Sequence, residues 1–306
     1  VRIAVTESGL GGLSIVADIS ERMKEAKIFT DIHLVFFNAL FSSRGGYNSL
    51  KTREEKIRVF NSALQSIETK FQPDLILIGC NTLSTLYNDT PYARRTALPV
   101  IGILEVGVEL IARSLQAVPE SQVILFGTQT TISEATHKKR LIQEGFEPER
   151  ILLQACPELV DYIERGYDSD ETEMLISAYV HEALSKFKST HVPLHVSLNC
   201  THYGYSLDLW KKAFSQAGVQ PLSFIDPNTK MVDLLFRGRS RNRFESTNIA
   251  IEVVSMIEIN RERQDSIGRW LERISPQTAE ALRKYRRMED LFEWKKYLRE
   301  NSRESG

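Results

Sequence analysis

The sequence predicts an α/β protein of two pseudo-symmetric lobes, each built on a parallel sheet, with a shared cleft between them and a helical C-terminal extension. Short β-rich runs alternate with helical runs over most of the chain, which is the pattern of parallel sheets covered by helices. Two of the β-rich runs stop at a cysteine followed by polar residues, at Cys80 and Cys200. Glu7 lies 73 residues before Cys80 and Thr128 lies 72 residues before Cys200, so the two halves repeat one internal spacing.

Length and composition indicate a folded protein with room for both lobes. The 306 residues are enough for two domains of ordinary size and an appendage. A net charge of −1 gives no general attraction to nucleic acid or to an anionic membrane. No apolar run approaches the roughly 20 residues that span a bilayer. Because the three cysteines argue for reduced thiols and the first residues lack a signal-peptide pattern, we expect a cytoplasmic protein.

The first lobe begins with a strand and a glycine-rich turn. Residues 3–8 form the strand, and residues 8–13 turn into a helix that runs to about Lys24. Glycines in such a turn let backbone N–H groups approach an anion, but this turn lacks both the glycine spacing of dinucleotide sites and the lysine of a phosphate loop. The elements predicted next are a strand at 33–38, a loop at 41–50, a helix at 53–71 and a strand at 75–78.

The same alternation continues after residue 97. We expect strands at 98–103, 123–127, 151–155 and 194–199, and helices at 106–115, 133–144, 158–165 and 170–187. A strand at 222–225 and its helix precede a change in composition, so they could complete the first lobe. The predicted division is a discontinuous first lobe of residues 1–97 and 206–236, a second lobe of residues 98–205, and an extension of residues 237–306.

The extension begins with an arginine-rich linker and continues with a strand-like run and amphipathic helices. Four arginines between 237 and 243 alternate with small or polar residues, as in an exposed connection. Residues 249–259 could add a strand to a sheet edge. The apolar positions that follow, among them Trp270, Leu271 and Trp294, need a surface to cover and do not fit a disordered tail. We expect them to pack on the body or on a second subunit, and to serve oligomerisation or gating of the cleft.

The two cysteines have the placement of acid–base groups. Strands of open α/β sheets end at the edge where ligands bind, and each cysteine directly follows such a strand. An unperturbed thiol has a pKa of about 8.5, and hydrogen-bond donors or a helix N-terminus bring its thiolate within reach of neutral pH. Two opposed thiols are poorly arranged for hydrolysis, which needs one nucleophile, a base and an oxyanion hole. They suit removal of a proton from one face of a carbon and its return to the other, as in inversion at the Cα of an amino acid.

Five stretches of sequence carry a resemblance to a known family. They are residues 7–13, 79–82, 127–132, 155–160 with Glu164, and 200–203. Together they resemble the cofactor-independent glutamate racemases of the aspartate/glutamate racemase superfamily, over about residues 1–236. The resemblance implies a cytoplasmic homodimer that interconverts L- and D-glutamate with no cofactor or metal and no nucleic-acid or membrane partner. It also implies that the D-glutamate serves peptidoglycan synthesis for the cell wall.

The resemblance implies roles for individual residues. Cys80 and Cys200 correspond to the two acid–base thiols, Glu7 to the acidic residue beside the first, and His202 and Glu164 to the partners of the second. The substrate-binding positions correspond to Ser8, Asn81, Thr82, Thr128, Thr131 and Thr201.

Three features depart from the family pattern. Glu7 stands where the family usually has aspartate. Residues 38–48 do not reproduce the family's Asp-Thr and Pro-Tyr-Gly, so the substrate-holding positions fall on Asn38 and on either Tyr47 or Arg44. Asn199 replaces a glycine before the second cysteine, and Gly204 replaces a proline after Tyr203. In addition to these departures, the extension has no assigned counterpart. Because of these departures, the sequence alone does not define the pocket for the substrate side chain.

Plainer interpretations exist for several of these residues. A cysteine is often a buried core residue, which is how we interpret Cys156. Glu7 could cap the helix that follows it, His202 could be a hydrogen-bonded core histidine, and a glutamate on a helix, such as Glu164, is usually solvated. A metal site built from the cysteines is disfavoured because no Cys-x-x-Cys pair is present.

Two alternatives to a glutamate racemase also remain at the level of function. One is a non-catalytic amino-acid-binding or regulatory protein that kept the racemase fold after its pocket diverged. The other is a racemase for another amino acid, such as aspartate. Both draw on the altered loop at residues 38–48.

Overall fold

The computed structural model describes residues 1–43, 46–186 and 192–299. Within these residues the strands are β1 (Arg2–Glu7), β2 (Asp31–Asn38), β3 (Leu75–Ile78), β4 (Val100–Gly102), β5 (Gln122–Gly127), β6 (Ile151–Ala155), β7 (Leu194–Asn199), β8 (Ser223–Ile225), β9 (Asn248–Ser255) and β10 (Arg286–Arg287). The helices are α1 (Leu13–Ala26), α2 (Arg53–Phe71), α3 (Asn81–Tyr87), α4 (Pro91–Arg95), α5 (Ile103–Ala117), α6 (Gln129–Glu134), α7 (Thr136–Gln143), α8 (Leu159–Arg165), α9 (Asp170–Ser185), α10 (Leu207–Gln216), α11 (Pro227–Asp233), α12 (Arg261–Glu272), α13 (Pro276–Arg283) and α14 (Lys295–Arg299). Arg44, residue 187 of the helix predicted at 170–187, and residues 300–306 of the extension lie outside the described residues.

Two parallel sheets form the centres of the two lobes. The first sheet has the strand order β10-β9-β2-β1-β3-β4, and the second has the order β6-β5-β7-β8. In the first, β1 pairs with β2 and β3. In the second, β5 pairs with β6 and β7 in the same manner. The two cysteine-ending strands, β3 and β7, therefore occupy equivalent places in the two sheets, and the predicted fold class is confirmed.

Two strands belong to the other sheet from the one predicted. β4 lies in the predicted second lobe but pairs with β3, with Ile76 opposite Val100. β8 lies in residues 206–236, which were assigned to the first lobe, but it pairs with β7, with His195 opposite Ser223. In both cases the chain leaves a strand, forms helices and returns beside the strand it left, as parallel crossovers usually do. The predicted division is therefore wrong for these two strands: β8 belongs to the sheet of the second lobe, and β4 belongs to the sheet of the first lobe.

Local chemistry determines where the helices begin and end. Thr52 and Glu55 form a reciprocal capping box at the start of α2. The helix predicted at 133–144 is divided into α6 and α7, because Ala135 adopts a left-handed conformation with φ of 51° that ends α6. Across the described ranges, none of the helices combines the length and the apolar character that a membrane span requires.

The extension packs on the body, which is one of the two arrangements expected from the sequence; the other was packing on a second subunit. β9 extends the first sheet beside β2, although it ends at Ser255, earlier than predicted. Leu271 is fully buried, and the Trp294 ring lies 4.9 Å from the ring of Phe41. α12 also contacts the second lobe, where the Ser266 hydroxyl accepts a hydrogen bond from the backbone N–H of residue 167. The extension therefore joins the first sheet and reaches the second lobe.

Candidate active site

The two predicted thiols line one small cavity between the lobes. Cys80 follows β3 and precedes α3, and Cys200 follows β7, so each lies at the carboxyl end of its strand. Both are nearly inaccessible, at 5% and 6% exposure. The cavity is lined by Glu7, Ser8, Leu40, Tyr47, Asn48, Cys80, Asn81, Thr82, Thr128, Thr131, Val160, Asn199, Cys200, Thr201 and His202. Of the predicted site residues, Asn38 and Glu164 do not line it.

The first thiol, that of Cys80, is almost completely buried. Burial, together with the charge of the nearby Glu7 carboxylate, raises the pKa of Cys80 to about 12. The Ser8 hydroxyl, 3.3 Å from the sulfur, and the backbone N–H groups of residues 8 and 83 act in the opposite direction. A pKa in this range favours the thiol form of Cys80 at neutral pH, and a positive charge placed in the cavity would lower it.

The second thiol contacts a buried histidine–carboxylate pair. The Cys200 sulfur lies 3.7 Å from His202 Nδ1, and His202 Nε2 lies 2.8 Å from Glu164 Oε1. Burial alone would lower the pKa of His202, but the Glu7 charge and the hydrogen bonds with Cys200 and Glu164 raise it well above its usual value. Burial acts to raise the pKa of Glu164, and the hydrogen bond and charge of His202, with the charge of Arg263, lower it instead. The pair is thus an imidazolium and a carboxylate, and the alternative of a solvated Glu164 is wrong.

Glu7 connects the glycine-rich turn to the loop that carries the second thiol. Its Oε2 accepts hydrogen bonds from the backbone N–H of Gly12 at 2.5 Å and from the Thr201 hydroxyl at 2.7 Å. Its Oε1 lies 3.8 Å from His202 Nδ1. Burial raises the pKa of Glu7 despite the opposing charge of His202. Because Gly12 precedes α1, Glu7 satisfies the start of that helix and also contacts the residues around the second thiol.

The glycine-rich turn binds carboxylates that belong to the protein itself. Besides the Gly12 N–H on Glu7, the backbone N–H of Leu10 donates to Glu164 Oε1 at 2.9 Å. A Cβ added at Gly11 would lie 2.7 Å or less from polar atoms of Glu7, Thr201 and His202. The turn therefore uses its glycines to let the two lobes approach each other, and its N–H groups hold the acidic residues in place.

Polar side chains from both lobes form the rest of the cavity wall. The hydroxyls of Thr82, Thr128 and Thr131 make a triangle with oxygen–oxygen distances of 3.0, 3.1 and 3.3 Å. The Asn81 side chain is 3% exposed, and neither its oxygen nor its nitrogen has a hydrogen-bond partner among the described residues. An unpaired buried amide is costly, so Asn81 is suited to pair with a polar ligand.

The loop at residues 38–48 has a different role at each end. The Asn38 amide donates to the Ser255 hydroxyl and its oxygen accepts from the backbone N–H of Leu40, so this side chain fixes the loop to β9. Tyr47 lines the cavity, and its hydroxyl also has no partner in the described part of the chain. Asn48, which the sequence did not single out, lines the cavity and accepts a hydrogen bond from Thr130 at 2.6 Å.

Other positions also had no distinct signal in the sequence. Leu40, Val160 and Asn199 line the cavity. Nothing in the local sequence distinguishes Leu40, whereas Val160 belongs to one of the five stretches that carry the resemblance and Asn199 precedes the second cysteine. Cys156 is buried in the main hydrophobic core, as predicted, and it also lines a second cavity together with Ser8 and Glu164. In the described ranges, no group of His, Cys, Asp and Glu side chains has the arrangement of a metal site.

Curated proteins with similar sequences include glutamate racemases. The chain is 29% identical over 201 residues to the glutamate racemase of Chlorobaculum tepidum, a match that covers 66% of this chain and 67% of that protein. The chain is related to the glutamate racemases. No protein-family model matches it.

Solved glutamate racemase structures share the fold. The glutamate racemase of Campylobacter jejuni has a TM-score of 0.67 at 22% identity, over 89% of this chain and 98% of that one. The glutamate racemase of Francisella tularensis, solved in complex with D-glutamate, has a TM-score of 0.66 at 22% identity, over 90% of this chain and 94% of that one. Both matches extend well beyond residue 236, so the fold likeness includes part of the extension.

Proposed function

We propose that this chain is a cofactor-independent glutamate racemase in which Cys80 and Cys200 act on opposite faces of the substrate Cα. The observation that carries the proposal is that two thiols, from equivalent strand ends of the two lobes, line one cavity. The relation to glutamate racemases supports glutamate as the substrate.

The proposed reaction is a transfer of protons between carbon and sulfur. The thiolate of one cysteine removes the Cα proton, so that the C–H bond breaks and an S–H bond forms. The thiol of the other cysteine gives its proton to the opposite face, which forms the new C–H bond and leaves a thiolate. The two cysteines exchange protonation states in each turnover, and the reverse reaction uses them in the opposite order.

The surroundings of the two thiols support different means of stabilising a thiolate. The His202 imidazolium, held by Glu164, can stabilise negative charge on the Cys200 sulfur. Cys80 has Ser8 and backbone N–H groups around it, and no cation among the described residues that act on its pKa. The substrate ammonium can supply that charge and lower the pKa of Cys80 on binding.

Substrate binding is proposed at the polar cavity wall. The Asn81 amide and the threonine triangle offer donors for the carboxylate of the substrate. Since Thr82 comes from the first lobe and the other two threonines from the second, a carboxylate bound there contacts both lobes. Ser8, Thr201 and Tyr47 complete the proposed contacts, whereas Asn38 is a support for the loop.

The test of the proposal follows the Cα proton. In deuterated water, deuterium should enter Cα of glutamate as the optical rotation decays. Cys80→Ala and Cys200→Ala should each abolish racemisation. Cys156→Ala is the matched control, because it removes a buried cysteine that lies in the core, and it should stay active. Full activity in either of the first two variants would contradict the two-thiol mechanism.

A second candidate is an amino-acid-binding protein or a racemase for another amino acid. The observation that favours it is that the described residues lining the cavity include no lysine or arginine to hold a side-chain carboxylate. A panel of L- and D-amino acids separates the possibilities. A ligand that raises the melting temperature and is never racemised favours the binding protein, whereas turnover of a different amino acid identifies the substrate.

The relation to the family also leads us to propose a cytoplasmic homodimer that provides D-glutamate for the cell wall. This part of the proposal rests on the resemblance. Light scattering on the purified full chain measures the molar mass directly, and a monomeric mass at working concentrations would contradict the dimer.

A further inference from the structure

An arginine from the extension reaches the residues behind the second thiol. Arg263, on α12, places Nη1 2.9 Å from Glu164 Oε2 and Nη2 2.5 Å from Asp161 Oδ1. The other oxygen of Glu164 lies 2.8 Å from His202 Nε2, and His202 Nδ1 lies 3.7 Å from the Cys200 sulfur. A continuous series of contacts therefore runs from the extension to the thiol.

We propose that Arg263 is a positioning residue that holds Glu164, and through it His202, in the arrangement that serves Cys200. The inference deepens the proposed racemase function and rests on it where turnover is the readout. It assigns the extension a part in the chemistry of the cleft.

The two oxygens of Glu164 have separate partners. Oε1 accepts from the backbone N–H of Leu10 and contacts His202. Oε2 pairs with Arg263, which also pairs with Asp161. The Glu164 side chain is 3% exposed, and a buried carboxylate oxygen that loses its partner is costly. Without Arg263, turning toward other hydrogen-bond donors would lower the free energy of the Glu164 carboxylate. Such a turn would break its contact with His202.

This ion pair differs from an ordinary surface pair. Exposed pairs contribute little because water screens both charges. Arg263 is 24% exposed and Glu164 is buried, so the charge of the arginine acts on the carboxylate with little screening. The Arg263–Glu164 pair is therefore expected to contribute more than an exposed ion pair would.

Loss of the Arg263 charge and loss of the Glu164–His202 contact would shift the pKa of His202 in opposite directions. The charged and titratable groups near the pair are Glu7 from β1, Cys200 and Tyr205 from the loop after β7, Asp161 from α8, and Arg263 from α12. A positive charge disfavours protonation of its neighbours, so loss of the Arg263 charge alone, with Glu164 unmoved, would raise the apparent pKa of His202. A turn of Glu164 away from His202 removes a hydrogen bond that raises that pKa and therefore lowers it, and this is the direction that a positioning role predicts.

The helix that carries Arg263 has other attachments to the second lobe. The Ser266 hydroxyl accepts from the backbone N–H of Tyr167 and donates to the carbonyl of Ile163. Arg269, two turns further along, pairs with Asp168 at 3.1 Å and does not contact Glu164. Arg269→Gln is therefore a matched control, because it removes an ion pair between the same helix and the same lobe.

The experiment compares the full-length wild type with Arg263→Gln, Arg263→Lys and Arg269→Gln. The His202 ring is followed by NMR of histidine-labelled protein across the alkaline range, with its signal assigned from His202→Asn among the six histidines. Primary isotope effects on kcat are measured with Cα-deuterated L- and D-glutamate separately. The titration needs no turnover, so it remains informative if the chain does not racemise glutamate.

We expect Arg263→Gln to move the His202 titration downward, because the Glu164 contact that raises its pKa is lost, and to lower kcat about tenfold to a hundredfold, as misplacement of a catalytic group does. The isotope effect should rise for one enantiomer only, the one from which Cys200 removes the proton, because that transfer becomes slower. Arg263→Lys should restore part of the loss, and Arg269→Gln should behave as the wild type.

Three outcomes would overturn the inference. They are an unchanged or raised His202 titration in Arg263→Gln, isotope effects that change equally for both enantiomers, and the same losses in Arg269→Gln. If the wild type racemises no amino acid while the titration moves as expected, the proposed function fails and the positioning role of Arg263 stands.

Discussion

The Ser8 hydroxyl oxygen lies 3.3 Å from the Cys80 sulfur, a distance at which either atom can donate a hydrogen bond to the other. Ser8 follows β1 and Cys80 follows β3, and these strands are neighbours in the first sheet. Burial and the Glu7 charge raise the pKa of Cys80 to about 12, and the Ser8 hydroxyl opposes that rise. The hydroxyl is thus one of the few groups that stabilise a thiolate at this position.

Ser8→Ala should raise the pKa of Cys80 further and slow the reaction. Loss of one hydrogen bond of about 1 kcal/mol corresponds to a roughly fivefold smaller thiolate fraction at a given pH. The pH dependence of iodoacetamide alkylation at Cys80, read by peptide mass spectrometry, measures the shift, and kcat measures its effect. Ser14→Ala is the control, because the Ser14 hydroxyl donates to the carbonyl of Gly11 and does not contact either thiol. An unchanged alkylation profile in Ser8→Ala would contradict the assigned role.

Thr82→Val should weaken substrate binding. The Thr82 hydroxyl lies 3.0 Å from that of Thr128 and 3.3 Å from that of Thr131 at the cavity wall. A hydrogen bond to a charged group is worth about 1.5–3 kcal/mol, so KM should rise at least tenfold. Thr85→Val, one turn later on α3, removes a hydroxyl that bonds only to the backbone carbonyl of residue 82 and should change KM little. Equal effects of the two variants would argue against a substrate contact at Thr82.

Asp226 should make stability depend on pH in a defined window. Burial raises the pKa of Asp226 to about 6, although its carboxyl accepts the backbone N–H of Asn228. A carboxyl with a folded-state pKa above its unfolded value of about 4 contributes stability that is fully present below pH 4 and is lost as the pH rises through 6. Asp226→Asn should therefore gain stability relative to the wild type over that window. Urea denaturation at a series of pH values measures this difference.

The control for that experiment is Asp208→Asn on α10, where the carboxylate is 89% exposed. Its stability should follow the wild-type curve across the same pH range. If the curves of Asp226→Asn and the wild type run parallel as well, Asp226 does not titrate differently in the folded and unfolded chains.

Leu271→Ala should destabilise the protein, because the extension is part of its core. Leu271 is fully buried, and a Leu→Ala change at such a position costs about 2–5 kcal/mol. Ile274→Ala, less than one turn further along the chain, changes a residue that is 44% exposed and should cost far less. Denaturant unfolding measures both. A neutral Leu271→Ala variant would mean that α12 does not pack on the body.

The local parts of the site could be predicted, and the long-range parts could not. A buried strand that ends at a cysteine is recognisable in the sequence, and this pattern predicts that Cys80 and Cys200 face a shared cleft. The sheet that β8 joins depends on which strand the chain returns to, and composition does not encode that choice. The family resemblance predicts a substrate contact at Asn38, but the Asn38 amide bonds to Ser255 of β9, a strand that no local pattern connects with Asn38.

The sequence by itself determined the α/β class, the repeat of one lobe plan and the two cysteine positions, because each of these follows from periodicity and spacing along the chain. Only the tertiary structure decided which charges meet behind the second thiol. Glu164 and Arg263 come from α8 and α12, helices that are distant in the sequence. Their contact depends on how β9 enters the first sheet and turns α12 onto the second lobe, and such packing is a property of the whole fold.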